Sequence, residues 1–260
     1  MILCPVEPLA PAASDAAFVP AWHAVEPLQR AHYESCWMIT QPSHAALAGE
    51  IAANLAGEQV PKLEAELVRA IALHDAGWGM PDAQAVMRSR SVQQHAPCSF
   101  LQVSVAQFLS AWTRSLEIAL STSPAGGYMV SRHFWRLAEY RTKSAQDTSA
   151  DRARLDQFLD FEAGKQKKLA SSQSRSTDEL EILTDVLQFC DLMSLYLCCG
   201  SRENVQFPKY FGVTIQAIQE PEGLRLSPAV IPAGTGFDVA ALKHPATKGE
   251  SGRELSFTVV

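Results

Sequence analysis

Apolar residues recur at three- and four-residue spacing through the first 200 positions of this 260-residue chain and alternate with polar ones after that. The first pattern predicts amphipathic helices and the second strands. Thr40-Gln41-Pro42-Ser43 is a helix-start signal, with a hydroxyl cap and an early proline. The helix after it carries His44, Leu47, Ala48, Ile51 and Leu55 on one face. After a break at Gly57, a second helix is predicted from Lys62 to Asp75, where the stripe of Leu67 and Ile71 ends in His74 and Asp75. Gly77 and Gly79 should stop it with a left-handed cap. Asp82 then stands in a loop or at the next helix start, and residues 88–97 read as an irregular loop with His95 exposed.

Further helices are predicted from Phe100 to Leu120, from Tyr128 to about Tyr140 (Val130, His133, Leu137 and Tyr140 on one face), over 151–170, and from Asp178 to Cys199. The last has the stripe Leu180, Leu183, Leu187, Asp191, Leu195, Cys198. Alternation over 207–218, 223–230 and 255–260 predicts strands, and Cys36 to Thr40 reads as another short one. The expected organisation is a proline-rich leader (1–37), a mainly α domain (38–203) and a small β-rich extension packed on it (204–260). In the leader, Trp22, His23, His32 and Tyr33 read as surface packing, with covering a pocket as the alternative.

Hydrophobic content of 47% leaves ample material for a core, and the net charge of -6 argues against nucleic-acid binding and gives no membrane-surface signal. No apolar run approaches the roughly 20 residues needed to span a bilayer. Pro5, Pro8 and Pro11 interrupt any signal-peptide core, so a cytoplasmic protein is expected. Six cysteines form no C-x-x-C pair and read as buried, reduced thiols. A phosphate-binding loop, a dinucleotide glycine pattern and a serine nucleophile elbow are all missing from the sequence.

The pattern is broken where helices put ionisable groups on apolar faces: His44, His74 with Asp75, His133, and Asp191. Taken singly, each is more often a hydrogen-bonded core residue than a ligand. Together they offer three imidazoles and two carboxylates to one interior, and a shared cation removes the cost of burying them. That donor set suits Mn, Fe, Zn or Ni, with Mg less favoured.

The order His44, His74-Asp75, Asp191 on a helical scaffold resembles the HD superfamily of metal-dependent phosphohydrolases. The segments Ile39 to Gly49, Leu73 to Trp78 and Leu187 to Leu195 look closer still to an uncharacterised bacterial family of HD-like proteins, known only as a domain of unknown function. The likeness covers about residues 36–200; the long leader departs from it, as does Ala76, where relatives often carry a second acid. The resemblance implies an HD-like bundle holding one or two divalent ions through His44, His74, Asp75 and Asp191, with His133 as a further ligand ahead of His95. It also implies hydrolysis of a small phosphorylated molecule, an ester or nucleotide. Asp75 would bridge metals, Arg136 or Lys168 would bind phosphate, and Asp82 would orient a water or a ligand imidazole. An oxygen-activating di-iron centre and a non-catalytic, metal-stabilised binding module are the alternatives.

Overall fold

The computed structural model describes residues 1–13, 15–90, 95–143, 147–247 and 250–260. Among them the architecture is mainly helical, with two small four-stranded sheets. At its centre lies α8 (Thr177–Cys198), buried on every side from Val186 to Cys199 except at Gln188. A helix apolar all round belongs inside a protein, and here others surround it. Packed on it are α1 (Ala21–Arg30), α2 (Gln41–Ala53) and α6 (Pro124–Thr142). Outside α6 lie α5 (Val105–Leu120) and α7 (Ser149–Ser171). The short helices α3 (Ala65–Ala72) and α4 (Gly79–Ser89) frame the His74-Asp75 turn. Among the described residues no helix is long and apolar enough to cross a membrane.

The start signal at Thr40 works as its chemistry requires: its Oγ1 accepts from the Ser43 amide at 3.1 Å and Pro42 occupies the first turn of α2. The turn after α3 differs from the expected glycine cap. The helix ends at Ala72 with Leu73 at its cap, and neither Gly77 nor Gly79 has positive φ. Gly77 is instead required by close packing: a Cβ there would lie 2.1 Å from the Ala111 carbonyl oxygen of α5 and 2.6 Å from the Ser115 nitrogen. Gly49 does the same between α2 and α3, where a Cβ would meet that of Ala72 at 2.5 Å. These two contacts seat the His44 helix and the His74-Asp75 turn against their neighbours.

The segment read as a leader is woven into the sheets. Its strands β1 (Ile2–Pro5) and β3 (Cys36–Ile39) join the C-terminal strands β7 (Gly236–Thr247) and β8 (Glu250–Thr258) in the antiparallel order β1-β3-β7-β8. Strand β2 (Val19–Pro20) pairs in parallel with β4 (Val205–Gln206), and β5 (Gln216–Glu220) and β6 (Gly223–Ser227) complete that sheet. Both ends of the chain thus share their sheets. Gln29 of α1 closes the free edge of β1, its side-chain amide exchanging hydrogen bonds of 3.0 and 2.7 Å with the Leu3 backbone. The long β7 was not among the expected strands. Tyr140, expected on the inner face of α6, is 68% exposed. The cysteines are free; Cys98 is exposed and the other five are buried. Part of the 88–97 loop, residues 91–94, lies outside the described residues.

Candidate metal centre

Where α2, the α3 turn, α6 and α8 meet, His44, His74, Asp75, His133 and Asp191 come together, all buried. His44 opens α2, His74 and Asp75 follow the last turn of α3, His133 sits midway along α6, and Asp191 lies on α8. The His44 Nε2 atom is 3.3 Å from Asp75 Oδ2 and 3.5 Å from Asp191 Oδ1. His74 Nε2 is 3.3 Å from Asp191 Oδ1 and 3.8 Å from Asp75 Oδ2. His133 Nε2 stands 3.8 Å from Asp191 Oδ2. The rings of His44 and His74, and of His74 and His133, meet edge to face at 5.2 and 5.6 Å.

These N···O gaps are long for hydrogen bonds, and three of the five, at 3.3–3.5 Å, match the spacing of atoms sharing one ion. Ligands held at about 2.0–2.2 Å from a common cation stand roughly 3.0–3.6 Å apart. Two further observations fit a cation. Asp75 Oδ1 is buried with no hydrogen-bond partner, a costly arrangement unless something else binds there; His133 Nδ1 is unpartnered too, but it is the Nε2 of that ring that faces Asp191. The outer nitrogens of two imidazoles are also fixed by the scaffold. His74 Nδ1 lies 2.7 Å from the Ile71 carbonyl, which only accepts, so this nitrogen carries the proton. His44 Nδ1 lies 2.7 Å from Ser194 Oγ, whose own proton goes to the Asp191 carbonyl at 2.8 Å, so His44 must donate too. Both rings therefore turn Nε2 inward, the tautomer a metal needs.

Charge in the group is divided unequally. Burial opposes protonation of His74, but the Asp75 carboxylate and the bond to Asp191 lift it to about 9. For His133 burial prevails and lowers it to about 4. Burial would raise Asp191, yet the bond to His74 and the surrounding imidazoles hold it at about 2.

A cavity of about 800 Å³ opens onto the group, and His44, Asp75, His133 and Asp191 are part of its wall. The remaining site residues expected from the sequence fall differently. Arg136 reaches the cavity wall, but its guanidinium already donates to Asp185 at 2.7 Å, to Glu181 at 2.6 Å and to Gln188. Asp82 is buried away from the cavity, where its carboxylate takes the Met1 amine at 3.1 Å and the Gln41 amide at 2.6 Å. That makes it a clamp between the chain start and α2, outside the group it was expected to serve. Lys168 is exposed in the last turn of α7 and does not line the cavity; His95 is exposed and equally remote from the wall. Sequence reasoning missed Ser194, which fixes His44, and Gln41, whose buried Oε1 lacks a partner on the cavity wall. It also left Tyr210 unremarked, another residue of that wall. For Ser194 a signal existed: it lies three residues after Asp191 on the same helix, one turn away. Tyr210 gave none, because a turn outside the helices brings it in.

Fold and site together define a mainly helical protein with a buried His/Asp group that could hold a metal ion. By its sequence the chain belongs to the family described as "Protein of unknown function (DUF3891)", whose model matches residues 28–230. Neither curated proteins nor solved structures yield a match.

Proposed function

We propose that this protein is a metal-dependent phosphohydrolase of the HD type, acting on a small phosphate ester through one divalent transition-metal ion. The observation that carries the reading is the ring of four donor atoms, His44 Nε2, His74 Nε2, Asp75 Oδ2 and Asp191 Oδ1, at the wall of a cavity open to a small molecule. A single ion is favoured because His74 belongs to both candidate triads, His44-His74-Asp75 and His74-His133-Asp191. Its Nδ1 is committed to Ile71, so one nitrogen remains for one ion. The donors suit Mn, Fe, Zn or Ni better than Mg. Such an ion would act as a Lewis acid on a phosphoryl oxygen and acidify a coordinated water. The protein's own contribution is to hold the imidazoles in the ligating tautomer and to keep bulk water from the His74 side, which is fully buried and off the cavity wall. Asp75 Oδ1, buried without a protein partner, would be the oxygen to accept a proton from a water on that ion.

A second reading, an oxygen-activating iron centre, draws support from the apolar cavity and from Arg136, which is already held by two carboxylates. Elemental analysis of protein purified without added metal tests the core of the proposal, with His74→Ala alongside. About one atom per chain, lost in the variant, together with turnover of phosphomonoesters, is the expected result. Stoichiometric iron, an absorbance change in air and no phosphate release would replace hydrolysis with the second reading.

A further inference from the structure

The cavity wall carries more information than its metal-binding corner. Trp22, Leu101, Phe108, Leu137 and Tyr210 line it and each keeps part of its surface open. These apolar surfaces are held in place. Phe108 is gripped edge-on by Trp78 at 5.2 Å and by Trp112 at 4.5 Å, and Trp22 leans on Phe100 at 6.5 Å. A rigid apolar wall loses little freedom on binding and favours flat apolar ligands. The cations nearby are largely spoken for. Arg30 is paired with Glu26 at 2.9 Å, Arg136 with Glu181 at 2.6 Å and Asp185 at 2.7 Å, and Arg141 with Asp147 at 3.0 Å. Lys143, also on the wall, is exposed. Apart from Lys143, a polyphosphate tail would have to compete with carboxylates for every cation on the wall, most steeply at the partly buried Arg136, whereas a single phosphate needs only the metal corner.

We propose that the cavity takes an aryl phosphate: a phosphomonoester of a flat, apolar alcohol, with phosphate at the His/Asp group and rings against the Trp22, Phe108 and Leu137 wall. This rests on the phosphohydrolase reading, and it excludes nucleoside di- and triphosphates as the preferred ligands. The test uses non-hydrolysable probes on full-length protein loaded with Mn(II), with affinities for methylphosphonate, 2-naphthylphosphonate and ADP measured by calorimetry. The naphthyl compound should bind at least about tenfold more tightly than the methyl compound, the scale set by burying a ring system. ADP should bind no better than methylphosphonate. Trp22→Ala and Leu137→Ser, two half-exposed wall positions checked for folding by circular dichroism, should each erode the naphthyl advantage and leave methylphosphonate affinity unchanged. Equal affinities for the two phosphonates, tighter binding of ADP, or no binding of any phosphonate would overturn the proposal. The two readings fail separately. Tight naphthylphosphonate binding with no hydrolysis of naphthyl phosphate would sink the hydrolase alone, and hydrolysis without preference for rings would sink the aryl pocket alone.

Discussion

Metal binding should expel a proton, and the geometry sets how many. In the metal-free protein the inner nitrogen of His74 faces Asp191 at 3.3 Å and is protonated, its pKa raised from 6.5 to about 9. That shift corresponds to about 3 kcal/mol in favour of the proton. A metal needs the same lone pair, so it must displace that proton. At pH 7.5, about 1.5 units below the raised value, His74 is almost fully protonated, and the carboxylate of Asp191, at about 2, has nothing to lose. His133, at about 4, is already neutral. Binding one divalent ion should therefore release close to one proton, and affinity should rise roughly tenfold per pH unit between about pH 7 and 8.5. Titrating EDTA-stripped protein with Zn(II) or Mn(II) in buffers of different ionisation enthalpy gives the proton count from the slope of heat against buffer enthalpy. A slope near one supports the assignment, and a value approaching two would add a proton from metal-bound water. A slope near zero, with tight stoichiometric binding, would show that His74 does not ligate through Nε2 and would refute the reasoning.

Replacing Asp191 with Ala should abolish metal content and lower the melting temperature, whereas His95→Ala should change neither; metal analysis and a thermal melt read both. Ser194→Ala leaves the buried Nδ1–H of His44 without its acceptor, 2.7 Å away in the native protein. It should weaken metal binding about 10- to 100-fold, as loss of such an orienting partner does, measured by chelator competition. Gly77→Ala forces a methyl into the α5 backbone and should cost about 3 kcal/mol, lowering the melting temperature by roughly 5–10 °C. For the metal-free protein, stability should peak near pH 6.5. His133 resists its proton until about pH 4, so stability falls as pH drops from 6.5 toward that value. The stability from His74 is fully present below 6.5 and is lost as pH rises through about 9. Thermal melts in EDTA across pH 4–9 check the dome, and a monotonic profile would contradict it.

What could be read in advance was whatever periodicity controls. The stripes that end in His74 and run through Asp191 put their polar members inside because a helix turns about 100° per residue, and the surrounding apolar residues leave them nowhere else to face. His44 and His133 followed from the same count. Pairing between distant segments left no such trace. Strand β1 carries four residues; its partner β3 lies beyond residue 35 and the other partner of β3, β7, beyond residue 235, so nothing local announced that the first residues belong to a sheet with the last. Trp22 joined the cavity wall through that same closure. Asp82 misled because a carboxylate near the His74-Asp75 turn reads alike whether it serves a cation or the Met1 amine; only the path of β1 distinguishes them. Gly77 reads as a cap in the sequence because a close approach to α5 has no signature in the residues around it.

The charges in the group argue for the size of what it binds. Taken at formal charge, the two acid side chains and the protonated His74 leave one net negative charge at the edge of the cavity. One divalent ion, with the His74 proton gone, brings the sum to zero, since all three imidazoles are then neutral. A second divalent ion would leave two positive charges to be offset by hydroxide or substrate, and it would have to bind without His74. Buried groups settle where charge is balanced and lone pairs are used, and only one added ion meets both conditions with the residues present. Asp75 Oδ1 and His133 Nδ1, both buried and without protein partners, lie outside the ring of four donors. Metal content near one per chain that stays at one in His133→Ala would fit this arrangement, and content near two, halved in that variant, would require His133 to hold an ion of its own.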